Sequence, residues 1–136
     1  MKSVVTAALA MLVFPAQAAT PVTGKWLTTE RDSIIEIGTC GNTVCGKVAR
    51  VLKMAPDGSM PVDSNNPNPA MRNRPIQGSM ILTGFTDGGK VWNGRIYDPR
   101  AGKTYKSKLT RNPDGSLNVE GCVAFICRKF TWTPAK

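Results

Sequence analysis

Whatever chemistry this chain performs, it performs without histidine. None occurs in its 136 residues, which excludes Ser-His-Asp triads, Cys-His dyads and every histidine-bearing zinc site. Four cysteines, nine carboxylates and a surplus of Lys and Arg remain. The cysteines form two equal spacings, Cys40-Gly-Asn-Thr-Val-Cys45 and Cys122-Val-Ala-Phe-Ile-Cys127. A four-thiolate zinc site would stretch the usual spacing to its limit, and thiolates oxidise outside the cytoplasm. Disulfides are the expected use. Three connectivities exist. Local pairing closes two short loops and contributes roughly 2 kcal/mol each; crossed pairing would close long loops and contribute roughly 4 to 5 kcal/mol. Local pairing is preferred, because both spacings fall on strand-turn-strand signals.

The carboxylates offer little catalysis. Asp63-Ser-Asn-Asn66-Pro-Asn-Pro69 gathers oxygen donors from Asp63, Asn65, Asn66 and Asn68, which hard cations prefer. With one carboxylate, calcium affinity should be poor. A structural loop held by Asx-turns and prolines is the favoured reading. Glu30 and Asp32 flank a turn, and Tyr97-Asp98 ends a strand; either could serve acid-base chemistry. No nucleophile sits on a recognisable elbow. We therefore expect no catalytic residues, no metal and no cofactor.

Binding chemistry is richer. Arg72 and Arg74 have the fork geometry to grip a carboxylate or phosphate, or to bond loop carbonyls. Arg95, Tyr97, Asp98, Arg100, Lys103, Lys106 and Lys108 form a basic hairpin suited to an anionic surface or to solvation alone. The net charge is +9, from 18 Lys plus Arg against 9 Asp plus Glu. Aromatics reach only 7%, too few for a stacking platform, and export removes access to nucleic acid, so we do not expect it as a partner.

The elements that must position these groups start after an export signal. Lys2 precedes the apolar run Val4 to Phe14, Pro15 breaks it, and Ala16-Gln17-Ala18 is a small-x-small cleavage motif. The run is too short to span a bilayer. Residues 1–18 are thus read as a signal peptide, residues 19–136 as one domain, and the location as periplasmic or extracellular. No helical period follows. Short alternating runs recur instead: Gly24 to Thr29, Ser33 to Cys40, Val44 to Leu52, Ser79 to Phe85, Lys90 to Asp98, Lys103 to Arg111, Leu117 to Val123 and Phe125 to Thr133. Val48 and Leu52 share one face in this pattern, as do Trp92 and Ile96. A Pro-rich loop spans residues 53 to 77. About eight short strands predict an all-β fold, a single small antiparallel up-and-down barrel. Such a barrel has either a packed interior or room for one small ligand.

Gly24-Lys25-Trp26 resembles the Gly-x-Trp signature of lipocalin-like (calycin) barrels. That resemblance implies that Trp26 closes one end of the barrel and that an Arg of the last strand, here Arg128, packs across it. A longer series of motifs is similar to a bacterial exported family catalogued as domain of unknown function 2147. It comprises Cys40-Gly-x-x-x-Cys45-Gly, Asp63-x-x-Asn66-Pro67-x-Pro69, Arg72-x-Arg74-Pro75-Ile76-x-Gly78, Trp92-x-Gly94-x-Ile96-Tyr97-x-Pro99-x-x-Gly102-Lys103-x-Tyr105 and Thr131-Trp132-Thr133. The resemblance implies a lipocalin-like barrel and brings no established activity. The resulting expectation is a non-catalytic binding protein for a small apolar or amphipathic, anionic ligand such as a lipid. Arg72, Arg74, Trp92, Arg95, Tyr97, Asp98 and Tyr105 are the candidate ligand-binding residues. The alternative is a module that binds a protein or the anionic envelope surface through its exterior. An enzyme using Asp98 or the Asp63 loop is the third reading.

Overall fold

The computed structural model describes residues 1–13 and 17–136; Phe14, Pro15 and Ala16, where the apolar run ends and the cleavage motif begins, lie outside the described residues. Eight antiparallel strands follow in chain order: β1 (Gly24–Leu27), β2 (Ser33–Cys40), β3 (Thr43–Val51), β4 (Met80–Asp87), β5 (Trp92–Asp98), β6 (Lys103–Arg111), β7 (Leu117–Val123) and β8 (Ile126–Pro134). Each pairs with its sequence neighbour, and β8 returns to β1. The closing β1–β8 seam is short, pairing Trp26 with Pro134 and Leu27 with Thr133. The fold is the expected all-β, eight-stranded barrel. The remaining regular element among the described residues is one 3₁₀ turn, Pro69–Met71.

Alternation explains the walls. Trp26, Ile35, Ile37 and Val48 face inward and are buried, while Lys25, Glu36 and Lys47 lie side by side across β1, β2 and β3 on the outside. Extra residues at three places, seen as four register shifts, break the alternation. Ile34 pairs with Arg50 and Ile35 with Val48, so Ala49 is extra. The bulge turns Val51 inward and Leu52 outward, to 39% exposure. Leu52 therefore leaves the face that simple alternation shares with Val48. On β4, Ile81 falls between the pairs Lys47–Met80 and Gly46–Leu82, so Ile81 and Leu82 both face inward. The third place lies between Thr83 and Thr86, where Gly84 has φ of 65° and Phe85 is fully buried.

Both disulfides are local, Cys40–Cys45 and Cys122–Cys127. The first lies at the β2–β3 turn. The second joins directly opposed residues of β7 and β8.

The two barrel ends differ. One is a floor, where β1 begins and β6 ends. The incoming segment crosses it: Trp92 Nε1 donates to Thr20 O and Trp26 Nε1 to Val22 O, each at 2.9 Å. Arg111, not Arg128, lies over the Trp26 ring, 5.3 Å from its centroid. The expected cation over the indole is present, but it comes from β6. Arg128 does face inward, yet it stands toward the other end of the barrel. Trp26 is opposite Pro134, which puts Arg128 about 20 Å further along β8 at strand rise.

Candidate functional site

The opposite end is an open mouth, and a cavity of about 580 Å³ descends from it into the barrel. That volume falls within the range of about 300 to 1,000 Å³ typical of small-ligand sites. Strand pairing shows why there is space. Three inward rows cross β5 to β8. The floor-side row is Trp92–Leu109–Val119–Phe130, and the rim row is Ile96–Tyr105–Val123–Ile126. Between them runs Gly94–Ser107–Gly121–Arg128. Phe85 fills the space beside Gly94, where an added Cβ would come within 2.5 Å of its ring. At Gly121 nothing takes up the room: the nearest atom to an added Cβ is Ile96 Cγ2 at 3.9 Å. At Gly121 the missing side chain has left volume that Leu or Val would have filled.

The cavity wall is apolar below and charged above. Ile35, Val48, Val119, Phe130 and Trp132 line the lower part. Glu30, Asp98, Arg100 and Arg128 stand among the upper lining. Arg100 is occupied: Nη1 meets Glu30 Oε2 at 2.9 Å and Nε lies 3.5 Å from Asp98 Oδ1. Arg128 has no ion pair among the described residues. Lys53, also in the lining, donates to Glu30 O at 3.2 Å, which leaves Arg128 as the lining cation with no hydrogen bond or ion pair among the described residues.

The Pro-rich loop forms one side of the mouth and is anchored by Asp63. That carboxylate is fully buried. Arg74 Nη2 and Nε meet Asp63 Oδ2 at 2.9 and 3.0 Å, Asn66 Nδ2 donates to Oδ2 at 2.8 Å, and Tyr97 Oη donates to Oδ1 at 2.7 Å. Burial alone would raise the Asp63 pKa, but the bonds from Asn66, Tyr97 and Arg74 outweigh it and hold the carboxyl below its usual range. Burial, together with the bond to Asp63 and its charge, pushes the Tyr97 hydroxyl up to about 12. The loop is structural in the way the sequence suggested: Asn66 Oδ1 accepts from the Asn68 N–H and Asn68 Oδ1 from the Ala70 N–H. Its outer turn docks on the β5–β6 turn, where Asn65 Nδ2 donates to Arg100 O at 3.0 Å. Only glycine fits at Gly102, where φ is +64° and a Cβ would collide with Asn65 O.

The candidate residues therefore separate. Tyr97, Asp98 and Tyr105 line the mouth. Arg74 is committed to Asp63, and Arg72 Nε donates to Asn66 O at 2.8 Å within the loop. Trp92 lies at the floor, away from the cavity. Arg95 is on the outer wall, since the inward positions of β5 are Trp92, Gly94 and Ile96. Arg128 enters the cavity as a residue the sequence had assigned to structure. Its inward parity was the available signal. The fully buried Asp63 and the cavity-forming Gly121 carried no sequence signal of their role.

Residues 24–134 match the family described as "Uncharacterized protein conserved in bacteria (DUF2147)". The chain belongs to this family. A solved structure, protein HP1028 from the human pathogen Helicobacter pylori, described as belonging to the lipocalin family, is similar with a TM-score of 0.73 at 25% identity. The match covers 87% of this chain and 85% of that one. The family member described here therefore has a lipocalin-like barrel, the fold of a binding protein. No curated protein matches the chain.

Proposed function

We propose that this protein is an exported carrier of a small amphiphile with an anionic head, seated with its apolar part against Val48, Val119 and Trp132 and its head at Arg128. The observation that carries this reading is the guanidinium of Arg128, without an ion pair among the described residues, standing above the apolar lower wall of the cavity. A charge-assisted bond to a carboxylate or phosphate would be worth about 1.5 to 3 kcal/mol there. The alternative of an exterior module assumed a filled barrel, and the cavity of about 580 Å³ favours the carrier instead.

Export is supported by the floor. The backbone N–H of Ala19, the residue after the cleavage motif, donates to both Asp87 carboxylate oxygens at 3.0 and 3.1 Å. Cleavage after Ala18 would make that nitrogen a cationic terminus already facing a carboxylate. A periplasmic or extracellular location of the mature protein is part of this proposal, and this contact and the signal-like sequence support it.

The test is displacement of bound anilinonaphthalene sulfonate by palmitate. The wild type should bind both. Arg128→Met should weaken palmitate by about tenfold to a hundredfold while leaving the neutral long-chain alcohol unchanged. Equal loss for acid and alcohol, or no binding by the wild type, contradicts the assignment.

A further inference from the structure

From Gly24 onward, every exposed large hydrophobic side chain lies at the mouth end or in the cavity wall. Leu52, Met54, Met60 and Val62 are on or next to the Pro-rich loop; Met80 starts β4; Val123, Phe125 and Ile126 make the β7–β8 hairpin tip. The tip is the extreme case. Phe125 is 92% exposed, Ile126 67% and Val123 64%. It is a two-residue turn, Ala124-Phe125, with Val123 opposite Ile126. Ala124 holds a φ of 53°, a conformation that turns usually assign to Gly, Asn or Asp. Val123 and Ile126 also border the cavity, but nothing inside the fold asks for an apolar residue at Phe125, and water penalises it. The Cys122–Cys127 bond lies immediately behind and fixes the tip's shape.

Cations stand beneath the tip. Strand register puts Arg95 and Lys106 in one outward row with Cys122 and Cys127, and Lys108 and Lys129 in the next, with Glu120 between them. A recess of about 590 Å³ runs between Phe125 and Arg95, Lys106 and Lys108. A protruding apolar tip above a cationic wall is complementary to an anionic bilayer, which offers hydrocarbon just below a layer of negative heads. Val123 and Ile126 also line the cavity mouth, so a surface that took up the tip would lie against the opening.

We propose that the β7–β8 tip is a membrane-docking element, with Val123, Phe125 and Ile126 entering the interface of an anionic lipid bilayer and Arg95, Lys106 and Lys108 meeting its headgroups. The test is sedimentation of the mature, disulfide-bonded protein with phosphatidylglycerol or phosphatidylcholine vesicles. Partition onto phosphatidylglycerol is expected to exceed that onto phosphatidylcholine and to fall with salt. Phe125→Ser should reduce it by about tenfold, with an unchanged melting temperature because the side chain touches little. The triple variant R95Q/K106Q/K108Q should lose at least about tenfold on phosphatidylglycerol and keep its weak partition onto phosphatidylcholine. Absence of vesicle binding by the wild type, or equal binding by Phe125→Ser, overturns the proposal. So does a dimer that Phe125→Ser dissolves without changing partition, since the tip would then cover a second copy. Docking stands apart from cargo: Phe125→Ser should retain palmitate binding in vesicle-free solution.

Discussion

At the floor of the barrel, every large side chain has its partners. Trp26 is buried, its N–H bonds Val22 and its ring lies under Arg111. At the mouth, Arg128 has no ion pair among the described residues, Phe125 stands in water, and a cavity of about 580 Å³ lined by Arg128 descends into the barrel. The same eight strands build both ends. The difference lies in which rows carry bulk: Trp92, Leu109, Val119 and Phe130 on the floor side, and Gly94, Ser107, Gly121 and Arg128 next to it. A small β-barrel can thus spend one end on stability and leave the other for recognition.

The contrast can be broken most severely at Trp26. Trp26→Ala should cost about 3 to 5 kcal/mol in denaturant unfolding, against less than about 0.5 kcal/mol for a change at exposed Phe125. Parity between the two would mean the floor is not the stabilising end.

Asp63 comes next, because it ties the mouth loop to the barrel. Asp63→Asn should cost about 2 kcal/mol, less than a fully buried pair because Arg74 is partly solvated. Its pH signature has a definite sign. The Asp63 carboxyl is depressed when folded, so its contribution is present above the ordinary value of 3.8 and is lost as pH falls below it. The Tyr97 hydroxyl is raised from 10.0 to about 12, so its contribution is complete below pH 10 and is lost as pH climbs toward 12. Stability of the wild type should lose both contributions at the extremes and neither between pH 5 and 9. Asp63→Asn should flatten the acid limb. An acid limb of unchanged slope in thermal melts below pH 5 would remove Asp63 as the anchor.

The two arginines sharpen the comparison further. Arg111→Met should cost about 1 kcal/mol through the lost cation–π contact. Arg128→Met should leave the melting temperature in place and change only ligand affinity. Smallest is the N-terminal tie: in a chain that begins at Ala19, Asp87→Asn should cost about 0.5 kcal/mol, and in thermal melts the loss should shrink at high salt.

Much of this was readable from residue order. Alternation located all eight strands, and the bounds of β2, β6 and β7 coincide with those expected. Equal cysteine spacings at turns pointed to the local disulfides. What alternation cannot contain is an extra residue. The bulge at Ala49 exchanged Val51 for Leu52, and the shifts at Ile81 and Gly84 put Leu82 and Phe85 into the core. Nor does parity give height. Arg128 was rightly read as inward, but only the closure of β8 on β1 says that it stands far from Trp26. Asp63 was visible as an oxygen donor; its burial depends on Arg74 and Tyr97 arriving from two other segments. Gly121 reads as an ordinary strand glycine until the row it belongs to is known.

That glycine gives the most direct test of the central claim, that the mouth cavity holds an amphiphile. Gly121→Val should fill the open space without strain, keeping or raising the melting temperature. Wild type and Gly121→Val would be purified natively from the envelope fraction of cells exporting them, then extracted for mass spectrometry. The account predicts about one anionic amphiphile per wild-type chain, by the single-cavity argument, and little or none on Gly121→Val. Equal amounts on both, or none on the wild type, would contradict it.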